Sequence, residues 1–165
     1  MDRYVLAAAV LALASCGQMK SASLHRVDDR ANLLSPDAEK RIASELGQLE
    51  MATTDQVQVM TVPSLGGKAI EQVALQTANA ERLGLPGKEN GVLVLVAPTE
   101  HQVRIETGRG IVNVLTDAEA ENIIQSSMIP HFRAGRLGPG IEAGVKQIDL
   151  ELRKNPERLP SSRKD

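Results

Sequence analysis

The sequence predicts a three-layer α/β/α sandwich, in which a small mixed sheet carries helices on both of its faces. Residues 56–62 alternate as a strand does, residues 92–97 form a short apolar run, and a segment of helical periodicity separates them. This strand–helix–strand order predicts a right-handed crossover between two parallel strands. A polar turn then leads into residues 102–107, whose alternation predicts an antiparallel neighbour. Residues 92–107 are therefore expected to form the central pair of strands.

The segments around these strands carry recognisable helix signals. A first helix, residues 36 to about 52, is predicted from the capping residue Ser35 and from Pro36 at the first helical position. A second helix, residues 68 to about 83, is predicted to end at the glycines and proline of residues 84–87. The two helices lie before and after the first predicted strand, which is the order that a layered α/β domain requires.

The second half of the chain is predicted to be mainly helical. Thr116 and the glutamate three residues later have the spacing of a capping box, which predicts a third helix from there to about Met128. Residues 129–133 include a proline and are predicted to break this helix, and residues 135–140 are predicted to form a loop. A last helix is predicted from the apolar residues that recur at helical spacing over residues 141–152.

The first residues have the features of an export signal. An apolar run ends in small residues directly before Cys16, which is typical of a secretory signal and resembles the bacterial lipobox. The sequence therefore predicts a lipoprotein signal peptide at residues 1–15, then a lipidated Cys16 and a polar tether at residues 16–25. An ordinary signal peptide with an incidental cysteine is the alternative. In similar lipoproteins an aspartate after the cysteine often marks the inner membrane, so Gly17 favours the outer membrane, facing the periplasm.

Length, charge and composition limit the function classes. The 165 residues suit one domain, predicted at residues 26–154, with a disordered tail at residues 155–165. The 19 basic and 21 acidic residues give a formal charge of -2, which argues against a nucleic-acid partner, since such binders show a basic excess. Tyr4 and Phe132 are the only aromatic residues, which argues against stacking on single-stranded bases. The single cysteine excludes an intrachain disulfide.

Several short motifs follow one another in an order that is typical of one family. They are residues 27–29 (VDD), 33–35 (LLS), 56–62 (QVQVMTV), 90–97 (NGVLVLVA), 104–110 (RIETGRG), 115–118 (LTDA) and 130–135 (PHFRAG). Together they resemble the TPM domain family, and the resemblance implies the small α/β/α fold of exported bacterial and thylakoid-lumen proteins. Members of the family have been linked to acid phosphatase activity, photosystem repair, calcium binding and accessory roles for membrane proteins. The chain departs from the family pattern at Glu89, where aspartate is common, and at Arg109, where an aromatic residue is common.

The candidate site residues lie around the third predicted strand. Glu89, Glu106 and Asp117 are candidate ligands of a divalent cation, Ca²⁺ or Mg²⁺, because such ions take carboxylate and carbonyl oxygens. Arg104 and Arg109 are candidate phosphate ligands, because a guanidinium binds phosphate through two hydrogen bonds. Structural explanations remain open: Asp117 suits a helix N-terminus, Glu106 suits the solvent face of a strand, and surface arginines are usually solvated.

Two functional hypotheses follow from these features. The first is an envelope lipoprotein whose TPM-like domain acts as an accessory or binding module. Under this hypothesis a lipid anchor holds the protein on the membrane, a divalent cation is a candidate ligand, and another envelope protein is the expected partner. The alternative is a metal-assisted acid phosphatase that acts on phosphomonoesters. No nucleophile-and-base set is recognisable in the sequence, so whether the protein is an enzyme stays open at this point.

Overall fold

The computed structural model describes residues 26–154, which fold around one four-stranded sheet. β1, β2 and β3 run parallel, β4 pairs antiparallel with β3, and the spatial order is β1-β2-β3-β4. The strands are β1 (Val27–Asp29), β2 (Gln56–Thr61), β3 (Gly91–Ala97) and β4 (Gln102–Thr107). The predicted small mixed sheet is therefore confirmed. The predicted signal peptide, the lipidated Cys16, its tether and the tail lie outside the described residues.

Helices follow β1 and β2 and then fill the second half of the domain. The helices are α1 (Pro36–Thr53), α2 (Ile70–Ala80), α3 (Asp117–Ile123), α4 (Ile129–Arg133) and α5 (Leu137–Arg153). A π-helical turn, Ile124–Met128, joins α3 to α4. In the described part of the chain, no helix has the length and apolar composition that a membrane span requires.

The helices cover both faces of the sheet. α1, α3 and α5 pack on one face, in a core with the valines of β2 and β3 and Ile105 of β4. α2 packs on the other face, in a smaller core with Met60, Leu93 and Leu95. The predicted three-layer sandwich is therefore confirmed. The chain has two crossovers between parallel strands, β1–α1–β2 and β2–α2–β3, and both move in the same direction across the sheet. Because α1 and α2 lie on opposite faces, the two crossovers have opposite handedness. Only one of them is therefore right-handed, as the general rule for such connections expects.

β3 is the centre of the sheet. All seven of its residues are buried, and their side chains alternate between the larger core and the smaller one. This is the burial on both faces that its apolar sequence predicts. β4, however, lies at the edge of the sheet, so the expectation that residues 92–107 form the central pair is wrong for β4. β2 is central instead, because the short β1 pairs with its other side. Three residues are too few to show a strand period, and the sequence did not predict β1.

The chain does not break at Pro130, contrary to the prediction. In an α-helix a proline has no N–H to donate, and its ring collides with the carbonyl four residues earlier. Here the helix widens before the proline, so that the Ile129 N–H donates to the Ile124 carbonyl, five residues back. The π-helical turn accommodates the proline ring, and α4 continues beyond it to Arg133.

The predicted loop at residues 135–140 is also corrected by the structure. α5 begins at Leu137, inside that range, and includes Pro139 in its first turn. The N–H groups of a first helical turn have no partner within the helix, so a proline there removes no hydrogen bond. The glycines and proline of this segment therefore start a helix where sequence signals alone predicted a loop.

α5 approaches the π-helical turn and α4 closely, because glycines face them. A Cβ on Gly140 would lie 2.5 Å from Cε1 of Phe132, and a Cβ on Gly144 would lie 2.7 Å from Sδ of Met128. Gly47, in the middle of α1, differs: a Cβ there would meet only the Arg26 guanidinium, at 3.7 Å. Two α5 glycines are therefore required by packing, and the α1 glycine is not.

Gly140→Ala is expected to lower the free energy of unfolding by about 1–3 kcal/mol, because the added methyl group overlaps the Phe132 ring. Gly47→Ala is expected to raise it by about 0.5–1 kcal/mol, because alanine favours the helix and has room there. Urea unfolding followed by circular dichroism measures both changes. If both substitutions changed the free energy of unfolding in the same direction, the packing described here would be contradicted.

Candidate functional site

A cleft of about 860 Å³ lies beside the amino end of β3. Its walls are the C-terminal half of α2, the loop that follows α2, and the end of β4 with the turn after it. We call it the α2–β4 cleft. Three of the sequence-predicted site residues, Glu89, Glu106 and Arg109, line it together. The cleft is therefore the place where the structure brings most of the predicted site together.

Glycine backbone packs closely on the loop that borders the α2–β4 cleft. The Gly108 N–H donates to the Gly91 carbonyl at 2.8 Å, and the Gly110 N–H donates to the Glu89 carbonyl at 3.1 Å. A Cβ on Gly108 would overlap the Glu89 carbonyl, and a Cβ on Gly110 would overlap that of Lys88. The two glycines of the Gly108–Gly110 turn are required because backbone packs directly on backbone here.

The Asn90 side chain holds this loop in place. Asn90 is 1% exposed, and its Oδ1 accepts a hydrogen bond from the Leu85 N–H at 2.8 Å. Its Nδ2 donates to the Thr54 carbonyl at 2.8 Å and to Asp55 Oδ1 at 3.1 Å. One buried amide thus joins the loop after α2 to the turn between α1 and β2. The sequence showed Asn90 only as part of a turn, because Thr54 and Asp55 lie far from it along the chain.

Gln56 makes a second connection between the same two segments. Its Oε1 accepts from the Gly84 N–H at 2.9 Å, and its Nε2 donates to Glu50 Oε1 at 3.1 Å. Glu50 in turn forms a 2.6 Å ion pair with Arg26, at the start of the domain. The loop that borders the cleft is therefore bonded to α1 and β2 by side chains whose role the sequence did not reveal.

The predicted metal ligands are only partly brought together. Glu89 and Glu106 line the α2–β4 cleft, and Glu89 has a positive φ of 47°. Asp117 does not line the cleft; it is exposed in the first turn of α3. Over residues 26–154, no group of three or more His, Cys, Asp or Glu side chains is arranged to hold a metal ion. Glu89 and Glu106 are therefore the two carboxylates that line this cleft.

The two predicted phosphate ligands have different surroundings. The Arg104 Nε and Nη2 atoms donate to Glu106 Oε2 at 3.1 and 3.0 Å, so its guanidinium is already paired. Arg109 lines the cleft, is exposed, and makes no hydrogen bond or ion pair through its side chain with residues 26–154. Arg82, from the turn that ends α2, lines the same cleft and was not predicted. Arg109 and Arg82 are therefore the cations available to an anionic ligand.

The start of α3 explains Asp117 without a ligand. Thr116 Oγ1 accepts from the Glu119 N–H at 3.2 Å, and Glu119 Oε2 accepts from the Thr116 N–H at 2.8 Å, which is the predicted capping box. The Thr116 backbone N–H, and then its hydroxyl, lower the pKa of the Glu119 carboxyl. Asp117 follows the cap, where an acidic side chain is stabilised by the helix dipole.

Comparison with known proteins gives a family and a fold. The sequence profile of the TPM domain matches residues 27–150. The chain is similar to the N-terminal domain of a P. gingivalis protein solved by NMR, with 31% identity, a TM-score of 0.77, and coverage of 83% of this chain and 87% of that one. No match is found among curated proteins.

Two further solved structures share the fold at lower identity. The BA42 protein of the psychrophilic bacterium Bizionia argentinensis is 20% identical, with a TM-score of 0.65 and coverage of 80% of this chain and 88% of that one. The N-terminal domain of the cg2496 protein of Corynebacterium glutamicum is 18% identical, with a TM-score of 0.61 and coverage of 90% and 86%. At these identities the likeness concerns the fold alone.

Asn90→Ala is expected to lower the free energy of unfolding by about 2–4 kcal/mol, because the Leu85 N–H and the buried Asp55 carboxylate each lose a partner. Asn79→Ala is the control, since Asn79 is an exposed asparagine that lines the same cleft, and it is expected to change stability by less than about 0.5 kcal/mol. Guanidinium unfolding measures both. An equal effect of the two substitutions would show that Asn90 does not hold the loop.

Proposed function

The chain belongs to the TPM domain family, and from that premise we propose that it is a binding module of the cell envelope whose ligand occupies the α2–β4 cleft. One observation carries the proposal: hydrogen bonds from the side chains of Gln56 and Asn90 and from glycine backbone hold the walls of the cleft. A preformed cleft of this size binds without the entropic cost of ordering a loop. The lipobox-like sequence before Cys16 supports the envelope location, and another envelope protein is the partner that an accessory role would have.

A divalent cation is the first candidate ligand. Ca²⁺ takes about six to eight oxygens from carboxylates, carbonyls and water, and Mg²⁺ keeps several waters, so two carboxylates suffice when other oxygens complete the shell. Glu89 and Glu106 supply carboxylates in the same cleft. Oε2 of Glu106 is bonded by Arg104, whereas its Oε1 accepts no hydrogen bond from residues 26–154. Arg104 would therefore orient Glu106 and leave one of its oxygens for the ion.

A metal-assisted acid phosphatase is the second candidate function. It is favoured by the presence of Arg109 and Arg82 in the same cleft as Glu89 and Glu106. A phosphomonoester dianion needs cationic donors, which the two exposed guanidinium groups offer. A bound divalent cation would supply a Lewis acid that polarises the phosphoryl oxygens. In this role the carboxylates hold the ion, and the arginines bind and orient the phosphate.

Lipid anchoring at Cys16 completes the proposal. The apolar run that ends in small residues before this single cysteine supports it, and Gly17 supports the outer membrane. The domain begins at Arg26, which is joined through Glu50 and Gln56 to Gly84 in the wall of the cleft. A tether at residues 16–25 would thus lead from the membrane to the edge of the domain that carries the cleft. A ligand or partner at the membrane would then be within reach.

Calcium is expected to raise the melting temperature of the chain beginning at Gly17, which retains every described residue. At about a hundred times the dissociation constant the gain in stability is about 2.7 kcal/mol, or roughly 5–10 °C for a domain of this size. Glu89→Gln and Glu106→Gln are each expected to remove most of the shift. Asp117→Asn is the control and is expected to keep it, because Asp117 lies outside the cleft. If all three variants retained the full shift, the cation would bind elsewhere.

Turnover of p-nitrophenyl phosphate separates the two functions. A binding module takes up calcium or magnesium and releases no nitrophenol above the rate of the buffer. A phosphatase turns over at about 1 s⁻¹ or faster with the metal bound. In that case Arg109→Gln is expected to reduce kcat/KM by at least tenfold and to leave the calcium-dependent shift unchanged. Turnover that survives both Arg109→Gln and Glu106→Gln would exclude this cleft as the active site.

Cys16→Ser is expected to abolish the incorporation of an alkyne-labelled fatty acid into the full chain expressed in a bacterial host, because the thiol that carries the lipid is gone. Ser23→Ala, in the predicted tether, is the matched control and should label as the unchanged chain does. Labelled protein is detected after gel electrophoresis. Equal labelling of the Cys16→Ser chain would remove the lipid anchor from the proposal.

A further inference from the structure

A second cavity, of about 560 Å³, lies beyond the carboxyl end of β3. We call it the carboxyl-edge pocket. The seven-residue β3, roughly 20 Å long, separates it from the α2–β4 cleft at the opposite end of the strand. In α/β proteins, ligands commonly bind outside the carboxyl ends of the parallel strands. The volume also falls within the range of small-molecule sites, about 300–1,000 Å³.

The walls of the carboxyl-edge pocket are apolar and firmly held. Val96 and Ala97, at the end of the fully buried β3, form one side. Ile129, Phe132 and Leu137 form the other side, from the start of α4 to the start of α5. Phe132, the one aromatic side chain among residues 26–154, packs on α5 at Gly140. The aromatic ring therefore lines the pocket as part of a packed helix pair.

The π-helical turn gives this wall its shape. The widened turn accommodates Pro130 and continues the helix, so that Phe132 and Arg133 follow on α4 and Gln125 lines the pocket from the turn itself. Turns of this kind cost stability relative to an α-helix and occur frequently at functional sites. A simple helix end at Pro130, as the sequence predicted, would place no helical wall here.

Arg133 gives the lining its charge. His101 is the other ionisable residue in it, and no carboxylate lines the pocket. Both are exposed, and the Arg133 guanidinium makes no hydrogen bond or ion pair with residues 26–154. His101 lies in the tight β3–β4 turn, where its N–H donates to the Pro98 carbonyl at 3.2 Å. The pocket thus combines apolar walls with a cationic rim.

From this combination we propose that the carboxyl-edge pocket binds a small carboxylate with an apolar body, such as a medium-chain fatty acid. The apolar walls take the chain, and burying it removes apolar surface from water. The Arg133 guanidinium binds the carboxylate through two parallel hydrogen bonds, and no charge of the same sign as the ligand opposes it in the pocket. This site is independent of the α2–β4 cleft and of the function proposed for it.

NMR titration with decanoate tests the proposal, on the ¹⁵N-labelled chain that begins at Gly17. The backbone amides of residues 96–102 and 125–137 are expected to shift with a single dissociation constant. Decanol has the same chain and no carboxylate, and its dissociation constant is expected to be at least about tenfold higher. The reason is that a hydrogen bond to a charged group lowers a dissociation constant by about tenfold or more. Arg133→Gln is expected to abolish this difference between decanoate and decanol. Arg136→Gln is the matched control, because this exposed arginine, three residues later, does not line the pocket.

Four results would overturn the proposal. The first is an absence of shifts in these residues with millimolar decanoate. The second is a set of shifts centred on the α2–β4 cleft. The third is equal binding of decanoate and decanol by the unchanged protein. The fourth is an Arg136→Gln variant that loses the difference as Arg133→Gln does. The melting temperature of both variants is measured alongside, and since both side chains are exposed it is expected to stay within about 1 °C of the unchanged chain.

Discussion

The burial of β3 on both faces is the constraint on which the rest of this structure depends. A strand without solvent on either face must pair its backbone groups on both edges, since an unpaired buried N–H or carbonyl group is costly. β2 and β4 satisfy the two edges, and the alternating side chains of β3 supply a core to each face. The larger core requires α1, α3 and α5, and the smaller one requires α2. Both cavities lie at the ends of this strand for the same reason, because that is where its pairing and packing stop.

Backbone packing determines the shape of the α2–β4 cleft, whereas charged side chains determine the chemistry of its lining. Glycines at positions 91, 108 and 110 let the loop after α2 cross the ends of β3 and β4 at contact distance, and Asn90 and Gln56 hold it there. The charged side chains stand on this frame and contribute little to it, apart from the Arg104–Glu106 pair on β4. The side chains of Glu89, Arg109 and Arg82 thus line the cleft without holding its frame.

The sequence could predict those elements whose signals are local. The apolar run of β3, the capped start of α1 and the capping box at Thr116 each depend on residues within one turn or one strand, and the structure contains all three. The helix across Pro130 and the start of α5 at Leu137 were missed because the local signals there, proline and glycine, also indicate breaks and loops. In the structure the glycines of α5 lie against Met128, Phe132 and Leu33, and these contacts are not visible in the sequence.

For the candidate site, the sequence by itself determined which side chains are available. They are a carboxylate beside the NG turn, and a carboxylate and two arginines in the RIETGRG motif. The sequence also determined the family to which the chain belongs. Only the tertiary structure decided which of them meet. It brings Glu89, Glu106 and Arg109 into one cleft, pairs Arg104 with Glu106, and leaves Asp117 on the first turn of α3. The physical reason is the order of the strands. The cleft forms where the amino end of β3 meets the carboxyl end of β4, and residues distant in the chain become neighbours only through that pairing.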